Sequence, residues 1–228
     1  MKCLIAVPLL VAAVLAGATA HATEPSGFEA NVSLGYAAPS GTITPDNFGG
    51  GSEVRPYRVL PTNLNQWFSS AVPLRLAVGW RRPHLFVGAA FQYAWTVPAT
   101  SPGSACAPPA HCNGLGSDVT FGPSVDFHLL PEGTIDPWIG AQIGLETTSF
   151  DGVFRQNDGS LAAGNVWALS WIATWQTGID VKLADHLRGG PFVGFSLGSA
   201  GGADGNHEWI FGGLRLVFDS AEKTGLGF

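Results

Sequence analysis

Ser124, Asp126 and His128 are the residues whose types and spacing most suggest chemistry. A hydroxyl, a carboxylate and an imidazole are the parts of an activated nucleophile, in which the base touches the nucleophile and an acid orients the base. Their spacing of two puts all three on one face if the segment is extended. On one strand, however, residues four apart are separated by ~13 Å, so His128 cannot take a proton from Ser124 directly. A triad would have to recruit Glu146 from a neighbouring strand. His128 also lies beside a short connection, and the simpler expectation is a histidine hydrogen-bonded inside the fold, with no catalytic site and no cofactor.

Two further constellations carry chemistry. Cys106 and Cys112 enclose Ala107-Pro108-Pro109-Ala110-His111. In an exported chain such a pair reads as a disulfide stapling a loop. The alternative is a metal held by both thiolates and His111, which lacks a fourth ligand and an outer partner for the histidine. The second constellation is a sparse ionisable set, Glu29, Arg75, Arg81, Asp126, His128, Glu146, Asp180, Lys182 and Arg215, spread over segments otherwise poor in charge. Such groups either pair with one another or line a path for solute. Glycine-rich 198–205 and 49–51 are not phosphate cradles, because no helix follows to offer its N-terminus.

The elements that must position these residues have a period of two. In Phe28 to Tyr36 every even residue is apolar and the odd ones are Glu29, Asn31, Ser33 and Gly35. The same alternation runs through 120–129 and through 167–182. A two-residue period means strands with one apolar and one polar face. Eight strands are predicted near 27–37, 71–82, 84–96, 118–130, 136–149, 166–182, 190–199 and 207–219, each at least as long as the ~9–11 residues a tilted strand needs to cross a bilayer. The connections alternate between short (81–84, 130–135, 183–189) and mostly longer ones (38–70, 97–117, 150–165, 200–206), the signature of an outer-membrane barrel. Within the first long connection, 62–70 is expected to form a short helix capping the barrel mouth, with Trp67 and Phe68 packed inward.

Composition agrees. Charged residues are only 12% of the chain, hydrophobic ones 46%, and there are 31 glycines and eight tryptophans. After the N-terminus no apolar run approaches the ~20 residues of a membrane helix. The net charge of -6, with no basic patch, argues against nucleic acid as a partner. Lys2, the apolar run Cys3 to Leu15 and the small residues of Ala18-Thr19-Ala20-His21-Ala22 have the order of a cleaved secretory signal, predicted to span 1–22. Trp80, Trp138 and Phe218 fall at short-turn ends, and Tyr36, Trp95, Trp167 and Trp209 at long-loop ends, where interfacial aromatic belts are expected. A soluble sandwich would also alternate, but its outward residues should be charged, whereas here the polar face is mostly Gly, Ser, Thr and Gln.

With these features the chain resembles the bacterial outer-membrane-protein β-barrel domain family of small eight-stranded barrels. The resemblance covers nearly all of 23–219 and is most specific in the last strand, Trp209 to Phe218. There Ile210, Gly213, Leu214, Leu216 and Phe218 look like the C-terminal β-signal read by the family's assembly machinery. The chain departs from the pattern in continuing past Phe218, with 220–228 expected as a short tail. The resemblance implies an all-β, antiparallel, up-and-down barrel in the outer membrane of a Gram-negative envelope. It also implies a monomer whose partners are outer-membrane lipids and assembly factors, with no resident metal. The expected role is structural or in surface interaction, not enzymatic. The alternatives are a porin-like narrow conduit for small hydrophobic solutes and, with less support, a lipid-modifying enzyme, since some barrels of this shape act on lipid A.

Overall fold

The structure is a computed structural model that describes residues 26–43, 62–100, 108–112, 114–155, 161–200 and 206–220. Residues 1–22, the glycine run 49–51, Cys106 and most of the tail lie outside the described residues, so the signal segment and the cysteine pairing remain expectations.

Alternating apolar and polar residues leave the chain no local way to bury one face, and the solution here is closure. The strands are β1 (Gly27–Ile43), β2 (Thr62–Asn63), β3 (Phe68–Arg81), β4 (Leu85–Pro98), β5 (His111–Cys112), β6 (Gly116–His128), β7 (Ile135–Arg155), β8 (Leu161–Ala184), β9 (Leu187–Ala200) and β10 (Asn206–Asp219). Apart from the two-residue β2 and β5, each strand pairs antiparallel with the next in sequence. The last then pairs with the first, from Glu29 opposite Asp219 to Gly41 opposite His207. That ladder leaves no free barrel edge, so eight strands form a closed antiparallel barrel. The closure extends to Ser220, whose amide donates to the Phe28 carbonyl at 2.9 Å while its hydroxyl accepts from the Phe28 amide at 3.0 Å.

The strands outrun their predicted ends on the long-loop side. The segment 150–165, expected as a loop, continues as paired strand from Phe150 opposite Val166 to Arg155 opposite Leu161. Side-chain alternation fades there, but ladder hydrogen bonds need only main chain, so β7 and β8 reach 21 and 24 residues. The third short turn is likewise tighter than predicted, with only Asp185 and His186 between β8 and β9. Segment 62–70 forms a single 3-10 turn at Leu64–Gln66, after which Phe68 already begins β3. Leu64, Trp67 and Phe68 nevertheless pack inward against Ala37, Ala71 and Trp209 at the barrel mouth.

The barrel is turned inside out relative to a soluble protein. Its outer face exposes Leu34, Tyr36, Leu76, Trp80, Phe121, Trp171, Val193, Ile210, Leu214 and Phe218. Its interior holds Glu29, Asn31, Arg75, Asp126, Gln142, Glu146 and Arg215. Two expected belt residues belong inside. Trp138 and Trp209 are only 1% and 6% exposed. The cause is parity: Trp138 shares its face with Asp136, Gln142 and Glu146, and Trp209 shares its face with Arg215. Trp80, Tyr36, Trp95 and Phe218 do face outward.

Candidate functional site

Strand parity delivers most of the ionisable residues to the lumen, where they divide into two groups. Toward the short turns the hub is Arg215 of β10. Its guanidinium donates to Asp126 at 2.8 Å and to Glu29 at 3.3 Å, and its Nε lies 3.8 Å from Asp180. The guanidinium carbon sits 4.1 Å from the centre of the Trp138 ring, a cation–π contact for the tryptophan that parity turns inward. Arg81 donates to the other Glu29 oxygen at 2.8 Å and to Asp136 at 3.2 Å. Arg188 reaches the same Asp136 oxygen at 3.5 Å, and His128 bonds to it through Nδ1 at 2.8 Å. Arg75, at mid-barrel, donates to Ser124 at 2.7 Å, Gln142 at 3.2 Å and Asn31 at 3.3 Å.

Planar guanidinium groups suit this task because each presents several fixed donors to several acceptors at once. Four carboxylates (Glu29, Asp126, Asp136, Asp180) thus meet three guanidinium groups (Arg81, Arg188, Arg215), and Arg75, held by neutral acceptors, makes the buried arginines equal in number to these acids. Close packing requires bare backbone opposite some of these groups. A Cβ on Gly140 would lie 2.3 Å from Asp126 Oδ1.

Toward the long loops the lumen is different. Glu146 of β7 accepts from Ser170 of β8 at 2.7 Å and pairs with the His207 imidazole of β10 through a short contact. Asp118 of β6 faces Glu146 and accepts from Thr148 at 3.2 Å. The His207 ring lies across bare backbone, since a Cβ on Gly198 would sit 2.0 Å from its Cε1.

Lys182, expected in the network, is instead at the turn, paired with the exposed Asp185 at 2.8 Å. It stands at the start of the register irregularity between Lys182 and Ala184, at the end of β8. Asp136, Arg188, Asp118 and His207 escaped sequence reasoning because they sit at or near strand ends. Parity with Glu146, Phe192, Asp126 and Arg215 on the same strands was the signal that places them.

The arrangement excludes the nucleophilic triad. Ser124 serves Arg75, Asp126 serves Arg215 and His128 serves Asp136, while Glu146 goes to a different histidine. Glu29, Asp126 and His128 do present ligand atoms within 4.8 Å of one another. Both carboxylates are already engaged by Arg81 or Arg215, so a cation placed there would sit against two guanidinium groups; this donor set does not fit a metal. Cys112 ends β5, which pairs with Gly152 and Val153 of β7, so the cysteine-bearing segment is held to the extended β7–β8 hairpin.

No family model and no curated protein sequence matches the chain. Among solved structures it aligns with Neisserial surface protein A at 14% identity, covering 84% of this chain and 98% of that one, with a TM-score of 0.48. The N-terminal β-barrel domain of Pseudomonas aeruginosa OprF aligns at 12% identity over 86% and 99% of the two chains, with a TM-score of 0.42. The outer-membrane protease OmpT from Escherichia coli aligns at 11% identity over 88% and 99%, with a TM-score of 0.43. The chain's own strand register, closed by β10 against β1, is what makes it an eight-stranded antiparallel barrel.

Proposed function

We propose that the protein is an integral outer-membrane barrel with a structural or surface-interaction role, and neither a pore nor an enzyme. The observation that carries this reading is the arginine network. An eight-stranded barrel has an interior just wide enough for side chains to fill. Here Arg215, Arg81, Trp138 and their carboxylates occupy it from wall to wall. The apolar exterior supports a lipid setting, because Leu214 and Trp171 are 67% and 65% exposed and water would leave such a surface to aggregate. The functional surface would then be the loop end and the β7–β8 hairpin, stapled by a Cys106–Cys112 disulfide. Export would use the 1–22 signal and assembly the last strand.

A conduit for small hydrophobic solutes fits less well. The cavity bordered by Ala37, Pro73, Glu146 and Trp209 has a volume of about 20 Å³. Ligand pockets typically need ~300–1,000 Å³. An enzyme fits less well again, because Ser124, Asp126 and His128 each bond to a different partner outside a triad. Planar-bilayer recording on the refolded protein tests the proposal: no stepwise ion current is expected from the wild type, and single-channel conductance would overturn it. Unchanged lipid A mass spectra with and without the gene would support the non-enzymatic part.

A further inference from the structure

Apart from the short β2 and β5, one strand pairing of the barrel differs from all the others. The others join strands that follow each other in the chain, so a turn or loop keeps the two partners close. The pairing of β10 with β1 joins the two ends of the barrel sequence, and no chain connection crosses it. Such a seam frays from its ends, and a frayed seam presents two bare strand edges to other chains. On the turn side the ladder stops at Glu29 opposite Asp219. Two acids directly opposite each other weaken a strand pair, so this end of the seam is poorly held by its ladder alone.

The two residues that follow Phe218 gather bonds at this weak end. Ser220 gives its amide to the Phe28 carbonyl at 2.9 Å and takes the Phe28 amide on its hydroxyl oxygen at 3.0 Å. The hydroxyl hydrogen can return to the same carbonyl, 3.1 Å away. One residue thus makes both bonds of a ladder rung, with a side-chain oxygen in place of a carbonyl. Asp219 does the same on the other flank of β10. Its amide donates to the His186 carbonyl at 3.1 Å, and its carbonyl accepts from His186 Nδ1 at 2.9 Å. His186 lies in the turn between β8 and β9, and its ring is tilted against that of Phe218 with 6.4 Å between centroids. From the lumen, Arg81 at the end of β3 stands near both opposed acids, 2.8 Å from Glu29 and 3.7 Å from Asp219.

We propose that Asp219 and Ser220 are a latch that keeps the seam of the barrel shut. Consecutive residues reach to opposite sides, Asp219 to the β8–β9 turn and Ser220 to the start of β1, so β10 is pinned between its two neighbours. Arg81 turns the repulsion of Glu29 and Asp219 into a tie across the seam. The barrel therefore closes beyond the aromatic of its β-signal. Ser220, which the sequence pattern assigns to a tail, belongs to the wall.

The test is amide hydrogen exchange, read residue by residue by nuclear magnetic resonance on the full mature chain refolded in detergent micelles. Ser220→Ala should speed exchange of the Phe28 amide about tenfold, the effect of losing one hydrogen bond of ordinary net strength. Ser220→Thr keeps the hydroxyl and should hold the wild-type rate. Ser220→Pro also removes the amide donor, and should spread the loss of protection along β1 toward Asn31. The His128 amide, which closes another strand end by donating to the His84 carbonyl at 2.9 Å, should exchange at the same rate in every variant. If Ser220→Pro fails to refold, the alanine and threonine variants decide the matter. Faster exchange confined to the seam, and restored by threonine, supports the latch. An unchanged Phe28 rate in Ser220→Ala overturns it. An equal acceleration at His128 overturns it too, because the loss of stability would then be general.

Discussion

The turn-side and loop-side halves of the lumen are built by the same strands and the same parity, yet they solve the problem of buried charge in opposite ways. In the turn-side half, each carboxylate lies within reach of a guanidinium, and Arg215 alone touches three of the four acids. In the loop-side half, Glu146 and Asp118 rely on hydroxyls and a single histidine, next to the small side chains of Ala37, Ala71 and Ala94. The first half is a charge-balanced plug that holds the wall together. The second satisfies its acids with hydroxyls, an imidazole and each other, at the end of the barrel where the long connections emerge.

The comparison breaks most visibly at its hub. Arg215→Leu removes the partner of Glu29, Asp126 and Asp180 together, and breaking a buried charge pair on one side costs ~3–5 kcal/mol. Urea unfolding in micelles, with the heat-dependent gel shift as the readout of folding, should show a variant that barely folds. Arg215→Lys keeps the charge but loses the fork, and should fall between the two.

Leu214→Arg comes next and tests the wall rather than the lumen. Its neighbour Arg215 is 1% exposed while Leu214 is 67% exposed, so the same side chain moved by one residue meets lipid. The expected loss is ~2–4 kcal/mol in a bilayer, seen as reduced insertion into liposomes. Insertion equal to wild type would mean that the faces of β10 are reversed.

Gly198→Ala probes the loop-side half. Its Cβ would lie 2.0 Å from the His207 ring, which must swing off Glu146 or push β9 aside. Overpacking of this kind costs ~1–3 kcal/mol. The change should appear in the unfolding midpoint and in the imidazole resonances of His207, while those of His128 stay in place. The smallest effect is expected from Thr174→Ser at the cavity. It removes one buried methyl, worth ~0.8 kcal/mol, from a site that already has spare room.

Much of this was legible in the sequence, and the reason is geometric. A strand period of two assigns every side chain to lipid or lumen once a single position is known, so Glu29, Arg75, Asp126, Glu146, Asp180 and Arg215 could be placed on the inner face without coordinates. Which of them pair could not be read, because partners come from strands far apart in sequence: Arg215 and Glu29 are 186 positions apart. The misplacement of Trp138 and Trp209 has a different origin. Residue type, an aromatic near a strand end, was allowed to outweigh parity, although only parity knows which way the pleat points. The missed residues Asp136, Arg188 and His207 lie where the pattern thins at strand ends, and the β7–β8 extension is held by main-chain pairing that leaves no trace in side-chain alternation.

The central claim is that β10 presents lipid on its even residues and a filled, charge-balanced lumen on its odd ones. Single cysteines at 209–218, in a background with Cys106 and Cys112 replaced by serine, can be spin-labelled and read for collisions with oxygen, which concentrates in lipid, and with a water-soluble nickel chelate. Positions 210, 214, 216 and 218 should collide strongly with oxygen. Positions 211, 215 and 217 should be shielded from both reagents, because their side chains are packed inside. Accessibility of the odd positions to the nickel chelate would mean an open aqueous lumen, and loss of the two-residue alternation would mean that β10 does not close this barrel.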